Sequence, residues 1–224
     1  HGRRAAATAS VTLYGSQGSR SPLCNWYMHE CGVDFEMAAP RDPSNPHPMG
    51  QVPALRDGDV ALFESGAILA YLADAYGGAD TPAERADITK WLVFANATLD
   101  PVLFKETPDG KVYDTGVREA TPPRALAALE AHLAAAGEGA YLLPSGFSAA
   151  DCNVGAYLLY VLQFFRDASY AQLPATAAYA LRCAKREGYK KAFGEETSAF
   201  LVSRLEADLA GGVSKKNGLF GGLF

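Results

Sequence analysis

The apolar positions at the start of the chain switch between a strand period and a helix period. Residues 11–14, VTLY, form a short β-type run, the Gly- and Ser-rich turn 15–19 follows, and Ser21-Pro22 supplies a helix cap and a first helical residue. Leu23, Trp26, Tyr27 and Cys31 recur at helical spacing, Gly32 is placed to stop that helix, and 33–37 return to a strand pattern. Val52-Pro53-Ala54-Leu55 and Val60-Ala61-Leu62-Phe63 flank Asp57-Gly58, a dipeptide favoured in tight hairpin turns. A further helix opens at Ser65, carries Ile68, Leu69, Leu72 and Ala75 inward, and ends at Gly77-Gly78. The predicted order is βαβ followed by ββα.

From Thr81 onward the pattern reads helical throughout. Thr81-Pro82-Ala83-Glu84 is a capping box, in which hydroxyl and carboxylate satisfy each other's terminal N–H groups. Ile88, Trp91, Leu92, Ala95 and Leu99 form one apolar stripe, and Leu126, Leu129 and Leu133 form another after Pro122-Pro123. A third helix carries Val154, Tyr157, Leu158, Val161, Leu162 and Phe165, an apolar face so wide that it belongs at the centre of its domain. Phe200, Leu201, Leu205 and Leu209 continue as an amphipathic helix, which Gly211-Gly212 is expected to end. The chain thus divides into a flexible segment 1–10, an α/β unit 11–78, an all-helical unit 81–210 and a Gly/Leu/Phe tail 211–224, with no internal repeat.

Composition narrows the function classes. With 224 residues, 49% apolar and 20% charged, the chain has the make-up of an ordinary globule. A net charge of -5 and the lack of any long basic run exclude a nucleic-acid partner, because phosphate contacts need clustered Lys and Arg. No stretch approaches the roughly 18 apolar residues of a membrane-spanning helix, so a soluble or membrane-peripheral protein is expected. Cys24, Cys31, Cys152 and Cys183 have neither C-x-x-C spacing nor His partners at metal-ligand spacing, which fits a reducing compartment. HGRRAAATAS at the start is rich in Arg, Ala and Ser and lacks acids, as transit-peptide remnants do; a truncated start explains it equally, so plastid and cytosol both stay open.

Several segments resemble the glutathione S-transferase family: LYGSQGSRSPLCNWYMHECGVDFE, GQVPAL, LFESGAILAYLADAYG, ERADITKWLVFANATLDPVLF, YLLPSGFSAADCNVGAYLLYV and YKKAFG. They reach from about residue 11 to residue 194, and their combination is similar to the cyanobacterial, chi-type members. The resemblance implies a thioredoxin-like α/β domain in front of an all-α bundle. It implies a cis peptide before Pro53, with the Val52 backbone pairing to the cysteinyl backbone of glutathione like an added strand. It places the γ-glutamyl carboxylate at Glu64 and Ser65, where the N-terminus of a helix favours an anion, and sets Gln51 at the glycine end.

The implied chemistry needs a thiolate, and a free thiol with a pKa of about 8.5 is mostly protonated at neutral pH. Ser19 would donate its hydroxyl to the sulfur while Arg20 supplies a positive field; Ser16 and Ser21 stand close enough to be confused with Ser19, and Ser21 is assigned to the helix cap. Cys24 competes as a nucleophile of thiol-transferase type, against the reading of an inert core cysteine. Phe104, Tyr113 and aromatic residues of the helical half are expected to line the cleft. Asp151 in Ser148-Ala149-Ala150-Asp151 reads as a helix cap rather than a catalytic acid. No metal or redox cofactor is implied; glutathione enters as co-substrate, with a small electrophile as its partner.

The chain departs from the family in two places. Between Glu36 and Pro53 only 16 residues intervene, and Pro40, Pro43, Pro46 and Pro48 leave no room for the helix that usually carries part of the glutathione site. Arg41, His47 and Gln51 remain, so one clamp on glutathione is expected to be missing. The tail 213–224, VSKKNGLFGGLF, suits docking into a hydrophobic groove on its own domain, a sister subunit or a larger partner. Two functions stay open: a glutathione transferase, or a docking subunit with a degraded site held by its tail in a homodimer or a larger complex, conceivably at the thylakoid.

Overall fold

A computed structural model describes residues 11–219, with side chains as far as residue 211. In the front half, β1 (Val11–Tyr14), α1 (Ser21–Cys31), β2 (Phe35–Ala38), β3 (Ala54–Asp57), β4 (Val60–Phe63) and α2 (Ser65–Ala75) follow in the order the apolar periods predict. The four strands make one sheet in the order β2-β1-β3-β4. β1 and β2 run parallel, the pairing that demands a crossover, and α1 is that crossover. β3 runs antiparallel to both neighbours, with Leu55 opposite Leu13 and Leu62. Leu13, Leu55, Leu23, Ile68, Leu69 and Leu72 are all fully buried, which fixes both helices on the sheet.

Two local expectations shift by a residue. The β3–β4 loop is Gly58-Asp59 rather than Asp57-Gly58: Asp57 still pairs with Val60, and Gly58 takes the positive φ of 58° that the turn requires. Ser21 is the first residue of α1 and not its cap. Arg20 stands at the cap position with no capping side chain, while Ser19 Oγ accepts the Ser21 N–H at 3.1 Å. At the other end of α1, Gly32 closes the helix at φ 64° as expected.

Residues 39–53 form no helix, as their prolines dictate, yet they are well tied down. Asn45 Nδ2 donates to the carbonyls of Pro40 and Gln51, Asn45 Oδ1 accepts the His47 N–H, and Asp42 takes the Ser44 N–H and hydroxyl.

The second half is built from α3 (Pro82–Val93), a π-helical turn (Phe94–Leu99), α4 (Asp100–Leu103), α5 (Arg124–Ala136), α6 (Ala149–Phe164), α7 (Pro174–Ala184), α8 (Glu187–Phe193) and α9 (Glu195–Leu219). The capping box at Thr81 is present, with both reciprocal bonds made. α6 is central: every residue from 149 to 162 is buried. Its cap holds Asp151 fully buried, accepting from the N–H groups of Leu142 and Ser148, the Ser148 hydroxyl and the Tyr179 hydroxyl. Burial pushes that carboxyl up to about 6 against the pull of its four donors. A carboxylate enclosed in this way has no contact with any cleft, in keeping with a capping role.

The helical reading fails in two places. A small hairpin, β5 (Lys105–Glu106) with β6 (Val112–Asp114), interrupts the run after α4. Its signal is the turn tetrapeptide Thr107-Pro108-Asp109-Gly110, with Gly110 at φ 80°. And α9 does not stop at Gly211-Gly212 but continues to Leu219. The expectations placed on residues 1–10 and on the Leu-Phe end of the docking tail lie outside the described residues.

The halves are joined by more than a linker. Glu30 of α1 takes two bonds from Arg186, through Nε at 2.8 Å and Nη2 at 2.7 Å, and a third from Trp26 Nε1. The guanidinium lies 3.7 Å above the Phe147 ring. Among the described residues no helix is long and apolar enough to cross a membrane, and all four cysteines are unbridged.

Candidate active site

A cavity of about 740 Å³ opens between the two halves. Its floor comes from loops at the ends of β1, β3 and β4. Its opposite wall comes from the π-helical turn, α4, α6 and the β5–β6 hairpin. All seven residues singled out from the sequence line it: Ser19, Arg20, Gln51, Val52, Pro53, Glu64 and Ser65.

The loop 15–20 is held close to α1 because Gly15 carries no side chain; a Cβ there would sit 2.4 Å from Ser21 Cβ. Ser19 Oγ donates to the Ser16 carbonyl at 2.9 Å and accepts from both the N–H and the hydroxyl of buried Ser21. Three bonds then tie this loop to the helical half. Gln17 Nε2 donates to the Ala192 carbonyl, the Tyr160 hydroxyl donates to the Ser19 carbonyl at 3.0 Å, and Arg20 Nη2 pairs with Asp100 Oδ1. Arg20 also lies 5.0 Å from the centre of the Tyr157 ring. Its positive charge is therefore shared with Asp100, whose carboxyl burial pushes up while Arg20 pulls it back.

The Val52-Pro53 peptide is cis, as expected, and both residues face the cavity. Glu64 has φ 68° and ψ 121°, the one non-glycine residue at positive φ among those described. A residue with a Cβ in that region costs on the order of 1–3 kcal/mol, and such positions cluster at binding sites. The turn at Glu64 starts α2 with Ser65 buried and with the first N–H groups of the helix free of intrahelical partners. Gly66 permits the helix to approach Asn96, whose Nδ2 would be 2.9 Å from a Cβ. Asn96 Oδ1 in turn accepts from Asn153 Nδ2 and the Tyr157 hydroxyl.

Two other expectations are resolved by position. Cys24 is fully buried beneath the site, its thiol donating to the Ser65 carbonyl, and burial pushes it far above the ordinary thiol range; it is a core residue, not a nucleophile. Phe104 lines the cavity but Tyr113 does not; its neighbour Val112 does, and Tyr113 points away, 61% exposed. Tyr157, Tyr160, Phe164 and Phe165 are the aromatic residues of the helical half that line the same cavity, expected as a class but not by number; Asn96 and Asp100 were missed, and His47, which no sequence partner marked, lines it too. Phe164 stacks on Tyr160 at 5.6 Å with a 7° interplanar angle.

The geometry has close counterparts among known proteins. A model of the glutathione S-transferase N-terminal domain matches residues 9–74. Glutathione S-transferase 1 of Zea mays is 33% identical, over 65% of this chain and 78% of the maize protein. A glutathione S-transferase-I structure bound with lactoylglutathione superposes with a TM-score of 0.65 at 27% identity, covering 83% of this chain and 99% of that one. A theta-class enzyme from Xanthomonas axonopodis pv. citri, with glutathione bound, gives a TM-score of 0.61 at 26% identity, covering 82% of this chain and 97% of that one. With a relative matched at this identity over most of its length, and with the same two-domain architecture throughout, the chain belongs to the glutathione S-transferase family.

Proposed function

We propose that the protein is a glutathione transferase that activates the glutathione thiol for attack on a small electrophile. One observation carries this reading: the seven residues expected from the sequence, drawn from three separate loops, converge on a single interdomain cavity. Glutathione lies along Val52, whose backbone offers strand-type hydrogen bonds to the cysteinyl unit, with its γ-glutamyl carboxylate on Ser65 at the positive end of α2. Gln51 faces the other end of the tripeptide.

The thiol is then brought to Ser19. Rotating the Ser19 O–H from the Ser16 carbonyl onto sulfur moves one proton only, since Ser21 continues to hold the oxygen. Each unit by which the thiol pKa falls represents about 1.36 kcal/mol in favour of the thiolate. Arg20 adds a positive field, moderated by Asp100. The thiol gives its proton to solvent, the thiolate forms a new bond from sulfur to the electrophilic centre, and the displaced electron pair departs with a leaving group or, in an addition, takes up a proton from solvent. Phe104, Tyr157, Tyr160, Phe164 and Val112 supply the apolar wall where that electrophile rests.

The test is a calorimetric titration with glutathione near neutral pH, followed by activity measurements on a panel of electrophiles. Binding in the micromolar to low millimolar range, with turnover that falls on replacing Ser19, supports the reading. No heat and no thermal stabilisation at tens of millimolar glutathione would overturn it.

A further inference from the structure

Where the apolar pattern predicts helix after α4, the chain makes the β5–β6 hairpin instead, and Val112 of that hairpin forms part of the cavity wall. The hairpin is rigid within itself. Lys105 stands opposite Asp114, and Thr107 closes the tip: its N–H donates to the Lys111 carbonyl at 3.0 Å, its hydroxyl oxygen accepts the Lys111 N–H at 3.2 Å, and its carbonyl accepts the Gly110 N–H at 2.8 Å. Both ends are anchored. Phe104 and Thr115 are buried on either side, and Gly116 lies so close to α4 that a Cβ would sit 2.7 Å from the Val102 carbonyl. Between those anchors, from 105 to 114, no side chain is buried, so apolar packing contributes little to holding the hairpin against the helices.

Charge holds it. Five side chains alternate in sign across its base: Glu119 with Lys105 at 2.8 Å, Lys105 with Asp114 at 3.9 Å, Asp114 with Arg118 at 3.2 Å, and Arg118 with Asp167, just beyond α6, at 3.2 Å. Arg118 also lies 5.2 Å from the centre of the Phe165 ring, which itself lines the cavity. All five charged groups reach solvent, and ion pairs in water are weak singly and weaken further as salt screens them. An element that keeps its own hydrogen bonds when displaced, and that screened charges pin between two fixed anchors, has the construction of a hinged flap. We propose that the β5–β6 hairpin is an ionically latched flap over the helical side of the cleft, whose opening admits the apolar substrate and whose closure covers it. The latch stands on the hairpin's own contacts; the identity of what it covers rests on the glutathione reading above, in which glutathione lies on loops of the opposite wall and enters without moving the flap.

The test follows the flap with two spin labels on the full-length protein, at Tyr113→Cys on its outward side and at Met49→Cys on the loop across the cavity, both exposed positions. Cys31→Ser is added because Cys31 is the one native thiol among the described residues that is not fully buried. The distance between the labels is read by electron paramagnetic resonance. At low salt one distance should dominate. Raising the salt to about 1 M, where the screening length falls to about 3 Å, should enlarge a longer-distance population roughly three- to tenfold. Arg118→Met and Lys105→Met should each do the same at low salt while leaving the fluorescence of buried Trp26 unchanged. S-hexylglutathione, whose alkyl chain would occupy the apolar wall, should return the labels to the short distance, and glutathione alone should not. A distribution that ignores salt and both substitutions would overturn the latch; one that responds to them but not to bound S-hexylglutathione would overturn the gating of substrate. If S-hexylglutathione does not bind, the glutathione reading fails, while the responses to salt and substitution decide the latch on their own.

Discussion

Replacing Asp151 with alanine removes the acceptor for four donors at the start of α6. The Ser148 hydroxyl can turn elsewhere, which leaves the N–H groups of Leu142 and Ser148 and the Tyr179 hydroxyl without a partner in a region closed to water. At about 2 kcal/mol for each orphaned donor the loss is about 6 kcal/mol. Part of it is offset at neutral pH, because the substitution also relieves the burial of a charge. That burial has raised the Asp151 carboxyl from 3.8 to about 6, equivalent to about 3 kcal/mol. The expected net loss is thus about 3 kcal/mol at pH 7, a large share of the 5–15 kcal/mol typical of whole domains.

The pH dependence follows with a definite sign. The folded state holds this proton more tightly than the unfolded chain, so the carboxyl's contribution is full below about pH 4 and is lost as pH climbs through 6. The gap between wild type and Asp151→Ala should widen towards about 6 kcal/mol as pH falls from 7 to 4. Urea unfolding followed by tryptophan fluorescence reads this directly, since Trp26 is fully buried in the folded state. A loss below about 1 kcal/mol at pH 7, or a gap that grows as pH rises, would refute the reasoning.

Other substitutions report on the site. Ser19→Ala should leave glutathione affinity within about twofold while raising the pKa of the bound thiol by about one unit, seen as roughly tenfold slower turnover at pH 7 that recovers at higher pH. Glu64→Gly removes the positive-φ penalty and should stabilise the fold by about 1 kcal/mol in thermal unfolding, while weakening glutathione measured by calorimetry. Arg186→Met leaves Glu30 with Trp26 as its remaining donor; a loss of about 2 kcal/mol in urea unfolding is expected, in line with the half-buried setting of the pair. Tyr160→Phe removes the bond to the Ser19 carbonyl and should cost about 1 kcal/mol of stability together with a fall in kcat larger than any change in KM.

What could be read from the sequence was what is local. Val52-Pro53, Glu64-Ser65 and Ser19-Arg20 each sit in a loop whose turn is set by immediate neighbours, so short motifs were enough to find them. Asp100 and Tyr160 could not be found in that way: they meet Arg20 and Ser19 across 80 and 141 residues of chain, and only tertiary packing brings them together. His47 had no partner to be read from the sequence because its ring bonds a backbone group, the Met49 N–H, which carries no sequence signal. Tyr113 was misplaced by one position for a different reason. In a strand, adjacent residues face opposite sides, so reading 104–114 as helix erased the alternation that turns Val112 towards the cavity.

The three ties from the loop 15–20 to α4, α6 and α8 bear on how this protein can diverge. Recombination between relatives at the linker 76–81 would look harmless on a map of domains, since few residues there are buried. It would nevertheless separate Arg20 from Asp100 and the Ser19 carbonyl from Tyr160, leaving an unpaired acid in one descendant and an unanchored loop in the other. The pairing predicts that positions 20 and 100 change together, a loss at either one leaving the other's charge without its partner. The order of substitutions, and not only their identity, governs which lineages keep the cleft.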